Sequence, residues 1–102
     1  MLSKQQINKI ITNYCKEHNI RKGKHKLHPL YIHLNGFSHS IGFTSRKVKK
    51  GERATTYTSV GYSAYTQDTF GYENEHQRYL ARTILSLIPH YRYQNNAQEI
   101  LF

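Results

Sequence analysis

Asn-Gly-Phe-Ser-His-Ser-Ile-Gly-Phe occupies residues 35–43. If this glycine-bracketed stretch turns the chain between two strands, the residues on either side belong to a sheet. Upstream, Leu30, Ile32 and Leu34 alternate with Tyr31 and His33. That is the period of a half-buried strand and places strand one over residues 28–34. Downstream, Ile41, Phe43, Thr44 and Val48 mark strand two, which Lys49-Lys50-Gly51-Glu52 ends as a lysine-rich turn. Residues 53–65 are rich in Thr, Tyr and Val and read as strand three, with Gly61 at a bend or bulge. Polarity and Gly71 make residues 66–73 a loop.

Two helices flank these strands. Ile7, Ile10, Ile11, Tyr14 and Cys15 recur at the spacing of a helix with one buried stripe, and Ser3 with Gln6 fits a capping box at its start. Gly23, inside the run Arg21-Lys22-Gly23-Lys24-His25-Lys26, marks the break that follows. The second helix starts at Asn74 as N-cap, with Gln77 three residues on and Glu73 and Glu75 near the positive end of its dipole. Pro89 closes it. Its expected stripe is Leu80, Ala81, Ile84, Leu87 and Ile88. Residues 90–102 are polar and then abruptly apolar, so Ile100, Leu101 and Phe102 are expected to dock on the core or on a partner. The expected fold is one α+β domain over residues 1–102, with its core in 1–89 and a docking tail in 90–102. It is a two-layer α-β-β-β-α sandwich: a three-stranded antiparallel sheet with both helices on one face.

The formal charge of +9 is unevenly spread, since residues 1–53 hold twelve of the fifteen Lys/Arg and two of the six acids. A one-sided positive field of this kind most often meets phosphate, less often an acidic protein face or anionic lipid. No apolar run approaches the length of a membrane span, and none follows Met-Leu-Ser-Lys-Gln-Gln as a secretory signal requires. A soluble cytoplasmic protein without membrane contact is expected, in keeping with the single cysteine. Nine Tyr, seven His, no Trp and 37% hydrophobic residues imply a lean core. Part of the tyrosine set completes the core edges, and the remainder lies on the surface, where rings can stack on bases.

The order of elements, with the residues that mark them, resembles the double-stranded-RNA-binding domain over residues 7–60. Tyr14-Cys15-Lys16-Glu17-His18 is similar to the end of that family's first helix, and Pro29-Leu30-Tyr31 to its first strand. Gly36-Phe37-Ser38-His39-Ser40-Ile41-Gly42-Phe43 has the spacing of its first hairpin motif, with Phe37 in place of Pro. The resemblance implies that the first helix, through Asn13, Lys16 and neighbours, and the hairpin loop, through His39 and the backbone of Gly36 to Ser38, enter successive minor grooves of double-stranded RNA. A basic start to helix two spans the phosphates between them. Here Glu73-Asn74-Glu75-His76-Gln77-Arg78 stands where the family carries lysine pairs. In an α-β-β-β-α layout the hairpin loop and the start of helix two share one end, and residues 21–26 and 49–53 gather at the other.

The candidate nucleic-acid-binding residues are Arg21, Lys22, Lys24, Lys26, His39, Arg46, Lys47, Lys49, Lys50 and Arg53, with Tyr57 or Tyr62 for base stacking if their rings face outward. His39 admits three readings: a hydrogen-bonded loop residue between turn-forming serines, a contact to a 2′-hydroxyl, or a general acid or base. The last follows from a similarity of Ser38-His39 to mRNA-cleaving toxins of this fold. No acid or second base is paired with His39 by sequence, so no catalytic residue is assigned. His25, His28 and His33 lack cysteine partners for a structural zinc site, and Cys15 on the buried stripe reads as a small apolar residue. No metal or cofactor is expected. The leading functional expectation is a non-catalytic RNA- or DNA-binding protein, RNA before DNA, held mainly through backbone phosphates. The rival is a phage or mobile-element inhibitor or adaptor, anti-CRISPR-like, that engages a host defence protein or nucleoprotein. The abundance of Lys, Asn, Ile and Tyr is compatible with such an AT-rich source. A toxin-type ribonuclease using His39 is the third. Oligomeric state stays open.

Overall fold

The computed structural model describes residues 2–88 and 98–102. Its elements are α1 (Lys4–Glu17), β1 (His28–Asn35), β2 (Ser38–Thr44), β3 (Thr58–Ser63), β4 (Asp68–Phe70), α2 (Glu75–Leu87) and β5 (Gln98–Leu101). All strands lie in one antiparallel sheet of order β4-β3-β2-β1-β5. The α+β class and the two helices are as expected, but the sheet has five strands rather than three. Both extra strands are short. β4 sits inside the polar segment 66–73, where three residues carry too little apolar alternation to be seen in a sequence. β5 is part of the tail, and its backbone pairs with β1.

α1 begins with the full capping box: the Ser3 hydroxyl accepts from the Gln6 N–H while the Ser3 N–H donates to Gln6 Oε1. Ile7, Ile11 and Cys15 are buried, with Ile10 and Tyr14 half-buried beside them. From α2 come Leu80, Ala81, Ile84, Leu85 and Ile88. Leu85 takes the place expected for Leu87, which is 55% exposed. The two leucines flank the stripe on opposite sides, and helical period alone does not choose between them. These side chains meet Ile32, Leu34, Ile41, Phe43, Val60 and Tyr62 in one core on a single face of the sheet. In the tail, Ile100 and Phe102 pack against that core, whereas Leu101 is exposed. The proposed helix stop at Pro89 and the polar residues 90–97 lie outside the described residues.

The pairing of Asn35 with Ser38 leaves Gly36 and Phe37 as a two-residue turn. Gly36 has φ +60°, and Phe37 does not share a positive φ. This is the type II′ pattern, with glycine at the first central position. Strand two therefore begins at Ser38, earlier than Ile41, and ends at Thr44, leaving Val48 in the connection to β3. Strand three is correspondingly shorter than residues 53–65.

β4 decides where α2 begins. β3 runs toward the Gly36–Phe37 turn, where the Ala64 N–H reaches Phe37 O at 2.7 Å. β4 then carries the chain back, so α2 starts beside residues 25–26 and the entry to β3. The expectation that the hairpin turn and the start of α2 share an end is thus corrected: they lie at opposite ends. At the start of α2 the Gln77 side chain is fully buried. Its Nε2 donates to Lys26 O at 3.0 Å and its Oε1 accepts from the Glu73 N–H at 2.9 Å. Asn74 Nδ2 donates to His25 O at 3.0 Å.

Replacing Gln77 by Met keeps the bulk but strands these backbone groups in a buried place. Urea unfolding should then show a loss of about 1–3 kcal/mol. An unchanged midpoint would mean the amide is not holding the loop.

Candidate nucleic-acid interface

The segment between α1 and β1 and the segment between β2 and β3 lie side by side at the end of the sheet remote from the hairpin turn. Their junction needs Gly23, because a Cβ there would stand 2.7 Å from the carbonyl oxygen of Ser45. His28 lies close by. Burial, with the positive charges of Lys22 and Lys47, holds its imidazole below the ordinary value. Gly23 against Ser45, with His28 beside Lys22 and Lys47, brings the two basic segments into contact at this end of the sheet.

Within that end the cations divide into two sets. Lys26 pairs with Glu73 at 3.1 Å, Arg46 with Glu52 at 2.8 Å, and Lys22 Nζ donates to Thr12 Oγ1 at 3.2 Å. Glu73 also accepts from the Thr58 hydroxyl at 2.6 Å. The hydrogen bonds from Thr58 and then Lys26 hold its carboxyl below the usual range. Glu52 is held low in the same way by Arg46 and by the Lys49 N–H, and these contacts close the turn over residues 49–52, where Gly51 has φ +84°. Three of the ten predicted residues therefore work inside the fold. Arg21, Lys24, Lys47, Lys49, Lys50 and Arg53 are exposed, and no ion pair engages them among the described residues.

His39 is placed differently from its expectation. It is the second residue of β2, not a turn residue, and its side chain points to the helix-covered face with Ile41 and Phe43. At 3% exposure, with its ring parallel to that of Tyr62 at 6.3 Å, it is part of the core. The glycine-serine context made His39 look like a loop residue because the expected connection covered residues 35–40, whereas the turn is Gly36 and Phe37 alone. Tyr62 shares its burial and offers no outward ring, whereas Tyr57 is 48% exposed.

The helix-free face of the sheet carries Tyr31 and His33 from β1, Ser40 from β2, Ser59 from β3 and Phe70 from β4. Tyr31 stands directly opposite Gly42, and Phe70 opposite Gly61. A Cβ added at either glycine would meet the facing ring at 2.2 Å, so each ring lies flat over its glycine and shields that backbone from water. Tyr31 also donates to Ser59 Oγ at 2.7 Å and meets the Tyr57 ring edge-on at 5.8 Å. Around the ends of β1 and β5 a groove of about 1090 Å³ combines Tyr31, Tyr57 and Phe102 with Lys47, Lys49 and Lys50. The sequence shows the lysines and the tyrosines but not the strand register that unites them.

A second cluster escaped sequence reasoning because it joins residues far apart in the chain. Tyr14 stacks on His18 at 4.0 Å and on Tyr79 at 5.1 Å, and its hydroxyl is 2.8 Å from His76 Nδ1. His25 lies edge-on to His76 at 4.7 Å. Burial, then His25 and His18, pull His76 below the ordinary imidazole value. Among the described residues, no group of three His, Cys, Asp or Glu is arranged to hold a metal ion, and no helix is long and apolar enough to cross a membrane. Cys15 is buried on α1, and that burial pushes its thiol upward.

His28 and His76 bind protons less readily in the folded chain than at the unfolded value of 6.5. The unfolded chain therefore takes up protons first, and stability declines as pH falls through that value, levelling off below the folded pKa. The melting temperature should drop between pH about 7.5 and about 5.5, and His76→Gln should shrink the drop. A drop of the same size in the variant would remove His76 as a cause. Comparisons of the chain with protein-family models, with curated protein sequences and with solved structures found no match.

Proposed function

We propose that this chain is a small, non-catalytic nucleic-acid-binding module that holds the phosphate backbone with its basic end. The observation that supports this most is the gathering of Arg21, Lys24, Lys47, Lys49, Lys50 and Arg53, exposed and without ion pairs among the described residues, on two segments joined at Gly23. Cations crowded without counter-acids repel one another, and a polyanion relieves that repulsion while releasing its own condensed ions. RNA is preferred to DNA because the motif order over residues 7–60 resembles that of an RNA-binding family.

The mode differs from the one that resemblance implies. A minor-groove reader of that kind needs the hairpin turn and the start of the second helix at one end, and here they are opposed. In this proposal the nucleic acid docks on residues 21–26 and 46–53, leaving the turn outside the footprint. Catalysis by His39 finds no support, since a core histidine cannot reach a scissile phosphate.

With about five phosphates engaged, log K should fall against log salt with a slope of about −3.5 for a single strand and about −4.5 for a duplex. Changing Lys49, Lys50 and Arg53 together to Gln should weaken binding to all sequences alike, reduce the slope by about two to three and leave the melting temperature nearly unchanged. A gel shift in low salt reads the first effect directly. No shift at micromolar protein, with any RNA or DNA, would refute nucleic-acid binding and point to a protein partner instead.

A further inference from the structure

Lysines hold the phosphates of paired and unpaired nucleic acid alike, and if anything favour the denser charge of a duplex. The aromatic surface beside those lysines does not treat the two alike. From the groove at the basic end a path continues across the helix-free face: Tyr57, then Tyr31 edge-on to it, then His33 at 4.9 Å from Tyr31. Beyond His33 a smaller furrow of about 270 Å³ opens, floored by Ser40 and Ser59 and closed on its far side by Phe70, whose ring lies over Gly61. His33 from β1 and Phe70 from β4 bound it on either side, with the small residues of β2 and β3 between them, so the furrow is a trough of hydroxyls between two rings.

We infer that this face takes the unpaired bases of a single-stranded nucleic acid whose phosphates lie along Lys47, Lys49 and Lys50; the inference rests on the nucleic-acid reading above and deepens it. Tyr57, half-exposed, offers a ring for one base. Tyr31 is held flat over Gly42 and fixed by its hydrogen bond to Ser59, so its outer surface is ordered before a ligand arrives, which lowers the entropic cost of stacking. The next base enters the furrow against Phe70, which is 58% exposed. There Ser59, already accepting from Tyr31, keeps its own hydroxyl proton for an acceptor on the edge of the base. A duplex cannot use this surface, because its base faces are covered by neighbouring pairs.

Charge fixes the direction of the path. Lys4, Lys47, Lys49 and Lys50 line the groove, and its one acid, Glu52, is engaged by Arg46. Across the open face Glu99 is paired with His33 at 2.8 Å. Asp68, at the turn end of β4, stands beyond the furrow, where a further phosphate would be repelled. Phosphates therefore concentrate at the basic end and only bases reach the furrow. The serine floor and the lysine rim fit neutral polar bases on an anionic phosphate backbone rather than an apolar helix or a lipid tail.

The test is fluorescence anisotropy with three probes at matched length and salt: a mixed-sequence strand of about ten nucleotides, the duplex it forms with its complement, and an abasic strand carrying the same phosphates. The strand is run as RNA and as DNA. The inference predicts that the base-bearing strand binds about ten-fold tighter than the abasic one and also tighter than the duplex. Tyr57→Ala should erase about ten-fold of the former affinity while leaving the abasic probe unchanged, and Tyr57→Phe should restore it. Equal affinity for base-bearing and abasic strands, tighter binding of the duplex, or a Tyr57→Ala variant that binds like the parent would overturn the stacking surface while leaving phosphate binding in place. Failure of all three probes to bind in low salt would overturn both.

Discussion

An amide buried without partners costs stability, so the place of Gln77 constrains everything around it. Its Nε2 is committed to the Lys26 carbonyl and its Oε1 to the Glu73 N–H, while Asn74 holds the His25 carbonyl. The two carbonyls are backbone groups of the basic segment, so that segment is fixed largely by its main chain, and the side chains of Arg21 and Lys24 are left out of the fastening. Glu73 adds a link from Lys26 to Thr58 at the entry to β3. A scaffold of this kind can hold like charges close together against their repulsion, which a flexible loop would relieve by spreading. The crowding of lysines at one end is therefore a property of the fold as well as of the composition.

The same node depends on chain direction. Without β4 the chain would leave β3 at the hairpin turn, and α2 would start there, far from residues 25–26. Three residues of strand, paired through Gly61, Tyr62 and Ser63, reverse that. The turn end is left with Phe37 and Tyr65 and with Asp68 nearby, while the cations, the start of α2 and the groove meet at the opposite end.

What was legible in the sequence follows from how local each signal is. The capping box at Ser3, the stripe of α1, the N-cap at Asn74 and the alternation in β1 depend on residues within a few positions of one another, and each forms as expected except that the β1 alternation holds only from Tyr31 onward, past an irregularity at Leu30. The basic end was legible as charge, and its continuity rests on one glycine, Gly23, whose role becomes visible only against Ser45. β4 and β5 are too short to announce themselves by period, and both are held by cross-strand partners. His39 was misplaced because a motif with the right spacing carried a loop meaning that a two-residue turn does not have. The aromatic path was hidden for the opposite reason: Tyr31 and Phe70 are plain in the sequence, but the glycines beneath them lie eleven and nine residues away, and only strand register brings each pair together.

Mapping amide chemical shifts while a short single-stranded oligonucleotide is titrated into the protein addresses the central claim most directly, because it reports where the ligand sits without altering a residue. The account predicts perturbations over residues 21–26 and 46–53, extending to Tyr57 and Tyr31, with the hairpin turn at Gly36 and Phe37 unmoved. Perturbations centred on that turn and on the exposed surface of α1, with the lysine-rich segments silent, would contradict it.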